Sequence, residues 1–193
     1  MPRVPWRIKL CVQRYGMVGR PGWPGAAGGG VMEAGQAAGE QEITLRPLER
    51  DDAEGLALLL ARYGDALRHA REPSAPDVAA AARLLADPVA EILGAFVHGQ
   101  PVAFAVFFDL PEAISGQRAG QLDDLFVMPE MRGRRLAERL IQAVAAEGLA
   151  RGWVQLRWLA PQDNDGARRA YERFAEAAPW ASYVLWLGDG ARW

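Results

Sequence analysis

The chain reads as an α/β protein, a mixed sheet flanked by helices and built around one parallel βαβ unit. Three observations carry that reading. Leu122 to Met128 has the apolar run of a buried strand. Pro129 and Gly133 break it, after which Leu136, Leu140, Ile141 and Val144 recur at helical spacing. Trp153 to Leu159, set off by Gly152, then reads as a further strand. A strand, turn, helix and strand in that order form a right-handed crossover with the two strands parallel.

The remaining elements follow in sequence: strand 43–48, helix 51–68, helix 76–86, strand 89–98, strand 101–109, strand 121–128, helix 134–150, strand 153–159, helix 164–177 and strand 182–187. Asp77 and either Asp163 or Asn164 are expected as helix caps, and Gly99-Gln100 as a hairpin turn. Leu110 to Gly120, with Pro, Ser and two Gly, is expected to be a mobile loop near the acceptor entrance. The long helix starts near Arg135. Its first N–H groups lack partners within the helix, and with the helix dipole they form an anion site, which Arg132, Arg134 and Arg135 make more positive. A pyrophosphate suits such a site, and an extended ligand could run from it back along the preceding strand, since ligands of such sheets lie at the carboxyl ends of strands.

On these residues the chain resembles the GCN5-related N-acetyltransferase (GNAT) superfamily. The family's acetyl-CoA loop, Arg/Gln-x-x-Gly-x-Gly/Ala, is similar to Arg132-Gly133-Arg134-Arg135-Leu136-Ala137, with Arg135 where the family has its central glycine. Asn164-x-x-Ala167-x-x-x-Tyr171 resembles a second family motif, in which Asn contacts the pantetheine arm and Tyr sits by the departing thiolate. Leu122-Asp123-Asp124-Leu125-Phe126-Val127-Met128, Leu60-Ala61-Arg62-Tyr63 and Trp180-x-x-Tyr183-x-Leu185 look like the diamine (spermidine/spermine) acetyltransferase branch. Two differences concern substrate: Gly64 replaces a glutamate after the tyrosine, and Asp123 replaces a glutamate on the strand. The resemblance implies a mixed, mostly antiparallel sheet of six to seven strands with about four helices. It also implies acetyl-CoA as co-substrate, held by Leu125, Phe126, Val127, Arg132 to Ala137, Asn164 and Ala167, and a homodimer.

Amine acetylation needs a neutral nucleophile, yet a free alkylammonium has a pKa of about 10.4, so a base or a water path to a carboxylate is required. Asp123 is the candidate base. Backbone N–H groups around Phe126 and Val127 are candidates to hold the oxyanion. Tyr171 is the candidate acid for the thiolate, and Tyr63 with Asp123 would line the amine pocket. Each has a plainer alternative: Tyr171 shares a helical stripe with Ala167, Ala170 and Phe174 and so suits a core, the Asp123-Asp124 pair suits a solvated strand end, the arginines suit a solvated helix start, and Tyr63 suits packing. No His or Glu cluster joins the aspartates, so no metal is expected.

Composition agrees with one soluble, cytosolic domain over 42–193. The chain has 193 residues, half of them hydrophobic, a formal charge of -2 and one cysteine, Cys11, which excludes an internal disulfide. No apolar run is long enough to span a membrane, and the acidic body past residue 41 argues against nucleic acid. Residues 1–41 are basic and glycine-rich and are expected to be disordered, or to precede a true start at Met32. The chain's only lysine, Lys9, lies there. The expected activity is direct acetyl transfer from acetyl-CoA to a primary amine of a small molecule, such as a polyamine or an amino acid. The rival expectation is a non-catalytic acyl-CoA-binding module, and a protein N-terminus acetylase comes third.

Overall fold

A computed structural model describes residues 42–187, which fall into two compact units, 42–159 and 160–187. The expected extension 1–41, with Lys9, Cys11 and Met32, lies outside the described residues.

The first unit holds a five-stranded sheet of β1 (Ile43–Pro47), β2 (Glu91–Val97), β3 (Gln100–Glu112), β4 (Gln117–Val127) and β5 (Trp153–Trp158), side by side in that order. The first three pairings are antiparallel and β4–β5 is parallel, as the βαβ reading required. Helices α1 (Ala53–Leu67) and α2 (Val78–Leu85) cover one face, where Leu56, Leu59 and Ala81 meet Ile92, Phe96, Phe104, Val106 and Phe126. Phe107, next along β3, points the other way. Its ring meets Trp153 at 6.2 Å, and Trp153 lies so close over Gly120 and Gly148 that neither has room for a Cβ. Gly148 belongs to α3 (Leu136–Ala150), which covers that second face.

Local chemistry sets the element ends. Asp77 accepts the Ala80 N–H at 2.8 Å and starts α2. His98 (φ 50°) and Gly99 (φ 77°) close the β2–β3 hairpin as a two-residue turn with both central residues left-handed, one residue earlier than Gly99-Gln100. Arg46 forks onto Asp52 through two 2.7 Å bonds and lies 3.7 Å over the Phe96 ring, tying β1 to the start of α1.

At the opposite end of the sheet from the β4–α3 turn lies a charged network. Arg151 donates to Glu147 at 2.6 Å and forks onto Glu91, while Asp109 accepts from Arg118 at 2.7 Å and from the Trp153 indole at 2.9 Å. The Glu147 side chain is only 3% exposed.

Three expectations are corrected. Among the described residues there are five strands, not six to seven, because 182–187 forms no ladder; Trp180, Tyr183, Leu185 and Leu187 are each more than four-fifths exposed. Alternating apolar residues supply strand propensity, but a strand exists only against a partner edge. Leu110 to Gly120 is not a mobile loop: β3 and β4 pair through Glu112↔Gln117, and the Glu112 carboxylate accepts the N–H groups of Ile114 and Ser115 to fold a tight turn. That turn joins the start of β4, the far end from Met128, so it does not flank an acceptor there. The last helix, α4 (Asp165–Tyr171), is shorter than 164–177, although the Ala175 N–H still bonds Tyr171 O at 2.9 Å.

Candidate active site

The two aspartates of β4 are separated by a bulge. Val106 pairs with Asp124 and Phe107 with Leu122, so β4 has one residue more than β3 here, and that residue is Asp123. The bulge turns Asp123 to solvent and aims Asp124 at α1, on the same face as Phe126. There the Tyr63 hydroxyl donates to the Asp124 carboxylate. The Tyr63 ring is held edge-on to Phe104 at 5.9 Å and against Phe126 at 5.6 Å, so Tyr63 both packs and carries a polar group to the aspartate. Burial pushes the Asp124 carboxyl above its usual range, with the Tyr63 bond opposing and the charge of Asp123 adding. Asp124 is therefore the partly desolvated carboxylate of the pair, and Asp123, the residue chosen from sequence, is its exposed neighbour. Strict strand alternation gave no sign of the bulge.

The same bulge ends the β4–β5 ladder. Its last pair is Leu122↔Trp158, whereas β4 continues to Val127. The backbone of Asp123 to Val127 on the β5 side is thus left without a strand, an edge to which an extended ligand can add. Leu125 and Val127 are half-buried there, and Phe126 is buried on the α1 face.

Beyond β4, a 3-10 turn (Pro129–Met131) leads into α3. Met131 and Leu136, both buried, pack with Val97, Val102 and Val127, which pins the turn to the sheet. Leu136 thus offers a ligand only its backbone. Between these anchors Arg132, Gly133, Arg134 and Arg135 are all exposed, and Ala137 follows in the first turn. Gly133 (φ 78°) and Arg135 (φ 58°, ψ 24°) are both left-handed, which bends the chain around the helix start. First-turn amides that lack intrahelical partners, three exposed arginines and the free edge of β4 together fit the diphosphate and extended arm of an acyl-CoA.

Arg135 occupies a conformation suited to glycine, and its ion pair with Glu138 at 3.0 Å involves an arginine side chain that is 68% exposed, so solvent weakens it. Arg135→Gly should raise stability by about 1 kcal/mol by removing the left-handed penalty. Chemical denaturation would read this as a higher midpoint at unchanged slope; a lower midpoint would mean that the Glu138 pair outweighs the strain.

The second unit carries the other motif. Asn164 caps α4, its Oδ1 accepting the Ala167 N–H at 3.1 Å, so the Asn-x-x-Ala spacing is that of a helix start. Arg168 donates to Gln162 O at 3.0 Å. Tyr171 stands edge-on to Phe174 at 6.3 Å, and burial pushes its phenol above the usual value, so it holds its proton through neutral pH.

A cavity of about 740 Å³ lies at the far end of the sheet, beside Glu91 and Asp109. Another, of about 570 Å³, lies where the end of α1 meets the end of β4. Arg62, Arg71, Glu72, Phe126, Glu130 and Arg132 are among its walls, so it adjoins both the α3 turn and the Tyr63–Phe126 pair. Among the described residues no group of three or more His, Cys, Asp or Glu is placed to hold a metal, and no helix is long and apolar enough to cross a membrane.

A basic helix start after a strand with a free edge, next to a groove walled by both acidic and basic side chains, suits the class of acyl-CoA-using α/β enzymes. The chain belongs to the acetyltransferase (GNAT) family, whose model matches residues 56–175 and so spans both units. It is an N-acetyltransferase, and enzymes of this family take acetyl-CoA as donor. A ribosomal-protein-alanine N-acetyltransferase from Brucella melitensis biovar Abortus 2308 is 40% identical, covering 76% of this chain and 99% of that one, with a TM-score of 0.67. An aminoglycoside acetyltransferase from an uncultured soil metagenomic sample, in complex with sisomicin, shares the fold at 17% identity and TM-score 0.63, covering 76% and 95% of the two chains. An aminoglycoside N-acetyltransferase in complex with CoA does so at 16% identity and TM-score 0.60, covering 81% and 100%. No curated protein sequence matches the chain. The expected kinship with the diamine branch in particular is not among these findings.

Proposed function

We propose that the protein transfers acetyl from acetyl-CoA directly to a primary amine of a small molecule. The observation that supports this best is the half-buried Asp124, which accepts from Tyr63, whose ring packs on Phe126, itself a wall of a groove of small-molecule size. In this reading the first-turn amides and the exposed arginines at the α3 start hold the diphosphate, Asn164 and Ala167 take the pantetheine arm, and backbone N–H groups near Phe126 and Val127 face the thioester oxygen. Asp124, relayed by water or by Asp123, accepts a proton from the amine. The amine nitrogen bonds to the acetyl carbon as the C–S bond breaks, and Tyr171 gives its proton to the leaving sulfur. The products are the N-acetyl amine and the free thiol. A homodimer and a cytosolic setting belong to the same reading.

A second reading has a specific support. The 40% identical Brucella chain is named for a ribosomal protein's alanine, so a protein N-terminus is the competing acceptor. Thiol release from acetyl-CoA, followed with polyamines, amino acids, aminoglycosides and a peptide beginning with alanine, separates the two. Preference for a small amine supports the proposal; preference for the peptide by a factor of ten or more replaces it.

The role of Asp124 has its own check. A base must be ionised, and its raised pKa should place the acidic limb of kcat/KM above the ordinary carboxylate range. Asp124→Asn should lower kcat by roughly 10²-fold or more and remove that limb. The stability effect has the opposite sense. A carboxyl whose folded pKa is raised contributes stability that is present at acid pH and lost as pH rises through the folded value, so the asparagine variant should be relatively more stable at neutral pH. Asp123→Asn keeping full turnover would agree with the bulge geometry, while loss in that variant alone would return the base to Asp123.

A further inference from the structure

The acceptor groove is charged in both senses, and its acids and bases are not equally available. Asp65, at the end of α1, is already used: its carboxylate accepts the Ser74 N–H at 3.0 Å and the Ser74 hydroxyl at 2.5 Å. Arg68 lies across Gly64, where a Cβ would come within 2.9 Å of the guanidinium, and also reaches Ser74. The last turn of α1 therefore offers the groove no free carboxylate. By contrast Arg62 and Arg71 line the groove with neither a hydrogen bond nor an ion pair among the described residues. Glu72 and Glu130 line it too, equally unpaired. Two available guanidinium groups beside two available carboxylates form a poor receptacle for a purely cationic chain and a good one for a zwitterion.

We infer that the acceptor is an amino acid with a side-chain amine. Its α-carboxylate would be held by Arg62 and Arg71, its α-ammonium by Glu72 and Glu130, and its distal amine presented to Asp124. Phe126 links the two ends. It lines the groove, its ring packs on Tyr63, and on β4 it is two residues from Asp124, a separation on the order of 7 Å along a strand. This inference rests on the acetyltransferase reading of the same groove and narrows its substrate class.

The test compares L-lysine with 1,5-diaminopentane, which differs from it by one carboxylate, using the full chain and acetyl-CoA. The expected kcat/KM for lysine exceeds that for the diamine by about tenfold or more, the usual return on a charge-assisted fork. Arg62→Gln and Arg71→Gln should each reduce that ratio about tenfold, chiefly through KM for lysine. Equal use of both amines, or preference for the diamine by the unmodified protein, overturns the inference and leaves amine acetylation intact. Release with neither amine, while the alanine peptide is acetylated, overturns the small-molecule reading and this inference with it. A lysine preference that survives both arginine substitutions overturns the assignment of the carboxylate to this wall.

Discussion

Tyr171→Phe is expected to lower kcat by roughly 10²- to 10⁴-fold, the range for losing a positioned general acid, with little change in affinity for CoA. The substitution is suited to the question because phenylalanine keeps the edge-on contact with Phe174 and removes only the hydroxyl. Burial raises the phenol's pKa, so the unmodified enzyme should retain its acid well into alkaline pH, and kcat should fall only above the ordinary tyrosine range. Single-turnover thiol release with calorimetric CoA binding would read both quantities. Full turnover in the phenylalanine variant would leave Tyr171 a packing residue, as its stripe with Ala167 and Phe174 first suggested. CoA binding without turnover in the unmodified protein would instead favour the acyl-CoA-binding module.

The second large effect concerns stability. Arg151→Ala should destabilise the protein by about 3 kcal/mol, the lower end of the range for breaking a buried pair, because Arg151 and Glu91 are each about a quarter exposed. What remains is the cost: Glu147, with its side chain 3% exposed, would be left charged with its guanidinium partner gone. The bonds to Glu91 and Glu147 hold the Arg151 guanidinium firmly protonated. A denaturant midpoint shift at constant slope would measure the loss. Glu147→Gln, which removes the charge but keeps an acceptor for Arg151, should cost less. Equal losses in the two variants would show that packing of the long side chains, and not charge, holds this end of the sheet.

The order of elements was legible because local signals repeat at every boundary. Asp77 was read as one cap and Asp163 or Asn164 as another, and Asp77 and Asn164 do cap; Pro129 and Gly133 were read as the break before a helix, and α3 starts at Leu136. The basic turn before α3 was legible for the same reason, since a helix start is a local structure whose amides need no distant partner. The Asp124 site was half legible. The paired aspartates were visible on β4, but which of them turns inward depended on β3 being one residue shorter opposite them, a non-local count.

The errors share that cause. Leu110 to Gly120 has loop-like composition, yet Asp109, Arg118 and Trp153 from three strands hold it as a hairpin. The Trp180 to Leu187 segment has strand-like alternation, yet it forms no strand. By itself, then, the sequence determined the α/β class, the βαβ crossover, the helix caps and the basic turn that suits a diphosphate, all of which follow from short-range sterics, hydrogen bonding and periodicity. The tertiary structure alone decided which aspartate is buried, where β4 leaves β5, and that Arg68 covers Gly64 while Arg62 and Arg71 stay available. Those outcomes depend on register between strands and on burial from above, where a shift of one residue exchanges a solvated carboxylate for a desolvated one.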